Sequence, residues 1–256
     1  MGKAAGTATC AVTYGNGTED ELKSADPDFI TADFHTILAI ANGIDHEIIR
    51  YVSEKIIPRY SSFDKAHQAD HVNMVIAQTL KLAANEPDVD SNMAYVAAAF
   101  HDLGLVNGRD NHHTDSRRIL ESDEFVRTRF TPAQIKLMGE AVEDHRASKS
   151  GRPRNRYGLI VAEADRFIDA TTIIRRTIQY GLKNYPDLDR KGHFDRTVEH
   201  LNRKYGRDGY LKIWIPDSDN ARRLEELRNV IDNNEELAAM FNRIFDEETE
   251  PSPTTI

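Results

Sequence analysis

Residues 91–105 read SNMAYVAAAFHDLGL, and the fold class turns on them. The run opens at Ser91 and reaches about Leu103, and its centre, AYVAAAF, is small enough for neighbouring helices to approach closely. That composition suits a central core helix. Outward from it, Val72, Val75, Ile76, Leu80 and Leu82 fall on one apolar stripe of a helix over about 66–84, which Pro87 closes. On the other side, Thr131-Pro132-Ala133-Gln134 is a capping box with Pro at the first helical position, and it starts a helix reaching about Asp144. Asn42-Gly43 stops a helix over about 31–42, and Asp45 caps one that must end before Pro58. Helices follow over about 156–184 (broken or bent), 190–204, 218–232 and 234–245, while 206–216 reads as a loop with a short extended piece. The expected fold is all-α.

The chain has 256 residues, 39% hydrophobic and 29% charged, enough for one good-sized domain. Residues 28–246 are expected to form it, between flexible tails at 1–27 and 247–256, because no interior linker or repeat divides them. No stretch approaches the apolar length of a membrane span, and the N-terminal residues lack the basic start and apolar run of a signal peptide. They resemble a myristoylation signal only until Gly6, where that signal needs Ser or Thr. Cys10 is the only cysteine, so internal disulfides and thiolate-rich zinc sites are excluded, and a metal must be held by His, Asp or Glu. A cytoplasmic protein without membrane partners is expected. The net charge of −9 argues against a nucleic-acid polymer as partner. A small anion would need a local basic patch.

Several His and Asp side chains sit where burial is costly unless something pairs with them. His71 precedes Val75 by four residues and Leu82 by eleven, on part of the apolar stripe. Asp102 follows Ala98 and Ala99 by four and three residues, which turns it inward beside His101. Asp165, four after Val161 and three before Ile168, lies on a face that should be buried. Taken singly, each has an ordinary reading as a hydrogen-bonded core histidine, a helix cap or an ion-pair partner. Taken together, two imidazoles and two carboxylates on three helices suit one divalent ion, Mn, Fe, Ni, Zn or Mg, with coordination left for water. Water made acidic by such an ion is a nucleophile at neutral pH, and phosphate esters are its natural target.

In these residues the chain resembles the HD-domain metal-dependent phosphohydrolases. The resemblance covers about residues 60–170 and rests on His71 with Val75 in HVNMV, on His101-Asp102 in AAAFHDLGL and on Asp165 in AEADRF. It implies an HD-type helical bundle, followed by a helical extension over about 171–246, with His71, His101, Asp102 and Asp165 as the primary metal ligands. It also implies a second ion in the family's two-metal branch, where His112 of NHHTDSRRIL and His145 of AVEDHRASKS match the additional histidines. Surface histidines at helix ends are the ordinary alternative for that pair. Leu103-Gly104 follows the His-Asp pair in place of the Glu-Asp of the guanosine tetraphosphate hydrolases, and RASKSGRP follows His145 without the Gly-Tyr-Pro of the cyclic di-guanylate phosphodiesterases. Both branches are disfavoured.

The resemblance points to a phosphohydrolase acting on a small phosphorylated metabolite, a nucleotide first, by attack of metal-bound water. Asp102 would bind metal and orient the water, and His113 would protonate the leaving oxygen. Arg109 and Arg146 are the preferred phosphate ligands, with Lys149 in the same basic loop as Arg152 and Arg154. Arg166 is placed to fix Asp165. Two rival readings are an HD-type di-iron oxygenase and a non-catalytic nucleotide-binding regulatory module. The extension, with Tyr205, Tyr210 and Trp214, is open to two readings, a lid or a homodimer surface. His35, His46, His67, His193 and His200 have no partners at suggestive spacing.

Overall fold

The apolar periodicity resolves into helices throughout a computed structural model that describes residues 3–64, 67–146 and 151–249. In chain order these are α1 (Glu19–Ser24), α2 (Phe34–Ala41), α3 (His46–Tyr51), α4 (Ala69–Ala83), α5 (Ser91–Phe100), α6 (His112–Ser122), α7 (Glu124–Arg129), α8 (Pro132–Asp144), α9 (Arg156–Ala164), α10 (Ala170–Asn184), α11 (Arg190–Tyr205), α12 (Asp219–Asp232) and α13 (Asn234–Thr249). The fold is all-α. Among the described residues the strands are β1 (Cys10–Val12) and β2 (Phe29–Thr31), paired in parallel with Cys10 opposite Phe29. They place part of the stretch expected to be an N-terminal tail in defined structure, with Asp28 accepting from the Thr9 amide and hydroxyl at 2.8 Å.

The chain divides into two compact units. The first ends at Asp165 and the second runs from Arg166. In the first, every residue of α5 from Met93 to Phe100 is buried. Because Ala94, Ala97, Ala98 and Ala99 are fully covered, α4, α6, α8 and α9 all pack against this one helix. The second unit closes its own core with Ile174, Ile178, Leu201, Leu227, Leu237 and Phe241 from α10 to α13.

The punctuation explains the boundaries. Asn42 caps α2 and Gly43 follows at φ 72°, a left-handed conformation that favours glycine. Asp45 accepts from the Glu47 and Ile48 amides to start α3. That helix ends at Tyr51, before Pro58 as expected, and the chain goes on as a π turn (Val52–Ile56) and a 3₁₀ turn (Ile57–Ser62), with Pro58 in the first turn of the latter, where no amide is needed. The Thr131–Gln134 capping box is present at α8. The break expected within 156–184 falls between α9 and α10, and 206–216 is a loop paired with no strand.

After α5 the chain turns through a 3₁₀ segment (Leu103–Asn107) laid directly on α6. A Cβ on Gly104 would lie 2.0 Å from the His112 carbonyl oxygen and 2.5 Å from the Ser116 nitrogen, both backbone atoms. The Gly104 amide donates to Ser116 Oγ at 2.7 Å. Gly104→Ala must therefore push α6 away, an overpacking change of about 1–3 kcal/mol. A Tm lowered by roughly 2–10 °C is expected on thermal unfolding; an unchanged Tm would contradict this close approach.

Candidate metal centre

The candidate ligands gather at helix ends. His101 is the C-terminal cap of α5, with Asp102 next in the chain; His145 caps α8 and Asp165 caps α9. His112 opens α6, and His71 lies in the first turn of α4. Helix C-termini carry carbonyls without intrahelical donors and a partial negative charge, so three of these positions favour cations before any side chain is counted.

Local hydrogen bonds orient the rings. His101 Nδ1 donates to the Ala98 carbonyl at 2.7 Å, His145 Nδ1 to Val142 at 2.5 Å and His112 Nδ1 to Arg109 at 2.7 Å. A carbonyl only accepts, so the proton sits on Nδ1 in each ring and Nε2 is turned toward the carboxylates. Buried Tyr60 fixes the turn itself, its hydroxyl donating to the Ala99 carbonyl at 2.9 Å and facing the Asp102 amide at 3.4 Å. Sequence reasoning missed Tyr60, which comes from the 3₁₀ turn before α4.

The ligand atoms form two groups. In the first, His71 Nε2 is 3.3 Å from His101 Nε2 and 3.2 Å from Asp165 Oδ1. In the second, Asp102 Oδ1 is 3.6 Å from His112 Nε2 and 3.4 Å from His145 Nε2. Asp102 Oδ2 faces the other way, 3.3 Å from His101 Nε2 and 3.6 Å from His71 Nε2. One carboxylate thus addresses both groups. Two ligand atoms each about 2.1 Å from a shared ion lie about 3.0–3.4 Å apart at right to tetrahedral angles, close to the spacings here. A neutral imidazole with its proton on Nδ1 presents a lone pair at Nε2, and lone pair against carboxylate is unfavourable unless a cation lies between. The residues present fit divalent ions, with His71, His101, Asp102 and Asp165 able to hold one and Asp102, His112 and His145 another.

The titration behaviour has the same origin. Burial raises the Asp102 carboxyl, but His101, His145 and His71 more than offset this and hold it well below the usual carboxylate range. Burial likewise opposes ionisation of Asp165, yet His71 brings it down to about 2. For His71 burial disfavours the charged ring, and hydrogen bonds to Asp102 and Asp165 overcome it, raising the pKa to about 9. His112 and His113 are lowered, chiefly by burial.

Around the groups, Arg109 Nη2 lies 3.1 Å from Asp64 Oδ2 and 3.1 Å from His67 Nδ1, and Arg146 Nη1 donates to the Asp110 carbonyl at 2.7 Å. His67, which showed no suggestive spacing, has its ring 5.7 Å from that of His71. His113 stacks edge-on to His112 with centroids 5.6 Å apart. Lys149 lies outside the described residues. Arg166 belongs to the second unit.

A helical unit that gathers four imidazoles and two carboxylates, one of them Asp102 shared between two groups, could hold divalent ions. Residues 69–169 match the HD domain family, consistent with the HD-domain metal-dependent phosphohydrolase superfamily. No curated protein and no solved structure matches the chain significantly. No helix among the described residues is long and apolar enough to cross a membrane.

Ion uptake must displace the proton that the carboxylates hold on His71 up to about 9. Zn²⁺ or Mn²⁺ binding to chelator-treated protein is expected to release protons into weakly buffered solution near neutrality, with affinity rising toward pH 9. The raised pKa sets the sign: His71 is protonated below it and competes with the metal, and the competition is lost above it. Affinity independent of pH across this window would rule out His71 as a ligand.

Proposed function

We propose that the chain is a metal-dependent phosphohydrolase acting on a phosphate ester of a small metabolite, with nucleotides the first class to test. The observation that carries the reading is Asp102, whose two carboxylate oxygens face the two His-rich groups at 3.3–3.6 Å. Divalent ions held there would acidify a coordinated water and polarise a phosphoryl oxygen.

The chain's own residues supply the rest. Asp102 orients both groups. Arg109 is substantially exposed and reaches substrate by exchanging its Asp64 partner for a phosphate oxygen, with which its planar fork can pair bidentately. Arg146 braces the loop at Asp110 and adds positive charge beside His112 and His113. Burial and Arg146 lower the His113 pKa, favouring a neutral ring at neutral pH. A neutral His113 could donate a hydrogen bond to a phosphoryl oxygen, a second role beside that of leaving-group acid expected from the sequence.

Released phosphate should be measured over a panel of nucleoside mono-, di- and triphosphates, sugar phosphates and phosphodiesters with Mn²⁺, Mg²⁺, Zn²⁺, Ni²⁺ or Fe²⁺ supplied. Asp102→Ala is expected to lower kcat/KM by about 10³-fold or more, and Arg109→Ala to raise KM about tenfold with a smaller change in kcat. Turnover unchanged in Asp102→Ala would overturn the proposal. Oxygen consumption with iron and no phosphate release would favour the di-iron oxygenase, and nucleotide binding without turnover would favour the regulatory module.

A further inference from the structure

Outside the ligand groups, five charged side chains form a continuous chain across α6, α8 and the segment entering α9. Arg117 on α6 donates through Nε to Glu121 at 2.7 Å and through Nη1 to Glu143 on α8 at 2.8 Å. Glu143 also accepts from Arg154 Nη2. Arg154 reaches on to Asp144, with Nη2 at 2.8 Å from Oδ1, Nε at 2.9 Å from Oδ2 and its backbone amide at 2.7 Å from Oδ2. Asp144 has no exposed side-chain surface, so its charge must be met inside the protein.

The backbone is shaped around this chain of pairs. A Cβ on Gly139 of α8 would lie 2.7 Å from Glu121 Oε1 and 3.2 Å from Arg117 Cγ, so a larger residue there would crowd the path of the pair. Beyond Arg154, Asn155 caps α9 and donates to the Leu137 carbonyl at 3.0 Å, which fastens the segment to α8 a second time.

The position of this chain relative to the ligands gives it a use. Arg117 stands five residues after His112, and Glu143 and Asp144 stand two and one before His145. The pair Arg117–Glu143 therefore joins the helix that opens with His112 to the helix that closes with His145, whose rings lie 5.3 Å apart. His71, His101 and Asp165 lie on α4, α5 and α9, and no pair between Glu121 and Asp144 ties α4 or α5. Isolated exposed ion pairs contribute little to stability. A connected, partly buried chain ending on a covered carboxylate is a different case, because removing one member leaves charge uncompensated and frees two helix ends.

We propose that Arg117 and Glu143 are positioning residues for the second metal position, setting the separation of His112 and His145 across Asp102, with Arg154 and Asp144 anchoring Glu143. The inference rests on the two-ion reading above and deepens it: the second position depends on a strut that the first does not need. Partners that orient ligands typically change metal affinity by about 10–100-fold.

The test is Mn²⁺ titration of the full chain after chelator treatment, followed by electron paramagnetic resonance, with thermal unfolding of each metal-free variant recorded alongside. Wild type is expected to bind two Mn²⁺ with the spectrum of a spin-coupled pair. Arg117→Met and Glu143→Gln are each expected to weaken the second Mn²⁺ at least tenfold, to leave the first within about twofold, and to give the spectrum of an isolated ion. Arg117→Lys, which keeps the charge and one of the two pairs, should recover part of the loss. Two Mn²⁺ bound as in wild type, or both weakened alike, would overturn the strut. A wild-type chain that binds fewer than two Mn²⁺ would overturn the two-ion reading itself, a result distinct from failure of the strut.

Discussion

The carboxylate of Asp102 governs the first unit's chemistry. It lies almost wholly buried at the end of α5, with imidazole nitrogens on both sides, and those of His101, His112 and His145 cannot donate to it while their protons are held on Nδ1 by backbone carbonyls. Such an assembly of acceptors is stable only with positive charge between its members, as protons or as ions. The raised pKa of His71 and the depressed pKa of Asp102 are the protonic version of that requirement. Everything that fixes Asp102 in place then becomes part of the site: the Ala-rich helix that allows four others to close around it, Tyr60 against its turn, and Gly104 where the following segment meets α6.

Much of this was legible in the sequence for a physical reason. An acid on an apolar face at helical spacing is costly enough that Asp102 and Asp165 stood out, and His71 shared the same logic. His112 and His145 had no such signal, since a histidine at a helix terminus is at home in water, and the family resemblance alone raised them. The structure brings them to the other face of Asp102. Caps were readable because they are local: Asp45 and the Thr131–Gln134 box formed as expected.

What the sequence hid is long-range or short-lived along the chain. Arg117 and Glu121 are spaced for a helical ion pair, but the reach from Arg117 to Glu143 and from Glu143 to Arg154 depends on how α6 and α8 pack. Strands of three residues, separated by a helix, are too brief for alternation to register. The units meet at Asp165, within five residues of where the resemblance ends its motif core and the helical extension begins, although residues 165–169 (DRFID) contain neither Gly nor Pro to mark the place. Tyr60, two residues after Pro58, carries no local pattern that marks it out.

The placement of ligands at helix termini has a consequence for the order of events in solution. α5, α8 and α9 all direct their carbonyl ends to the basin that holds Asp102 and Asp165. Two carboxylates and three helix C-termini favour cations over a phosphate there, and Arg109 is engaged with Asp64. Under the proposed function, loading would then be sequential on electrostatic grounds: the ions would come first, and an anionic ester would enter a chain that already carries them.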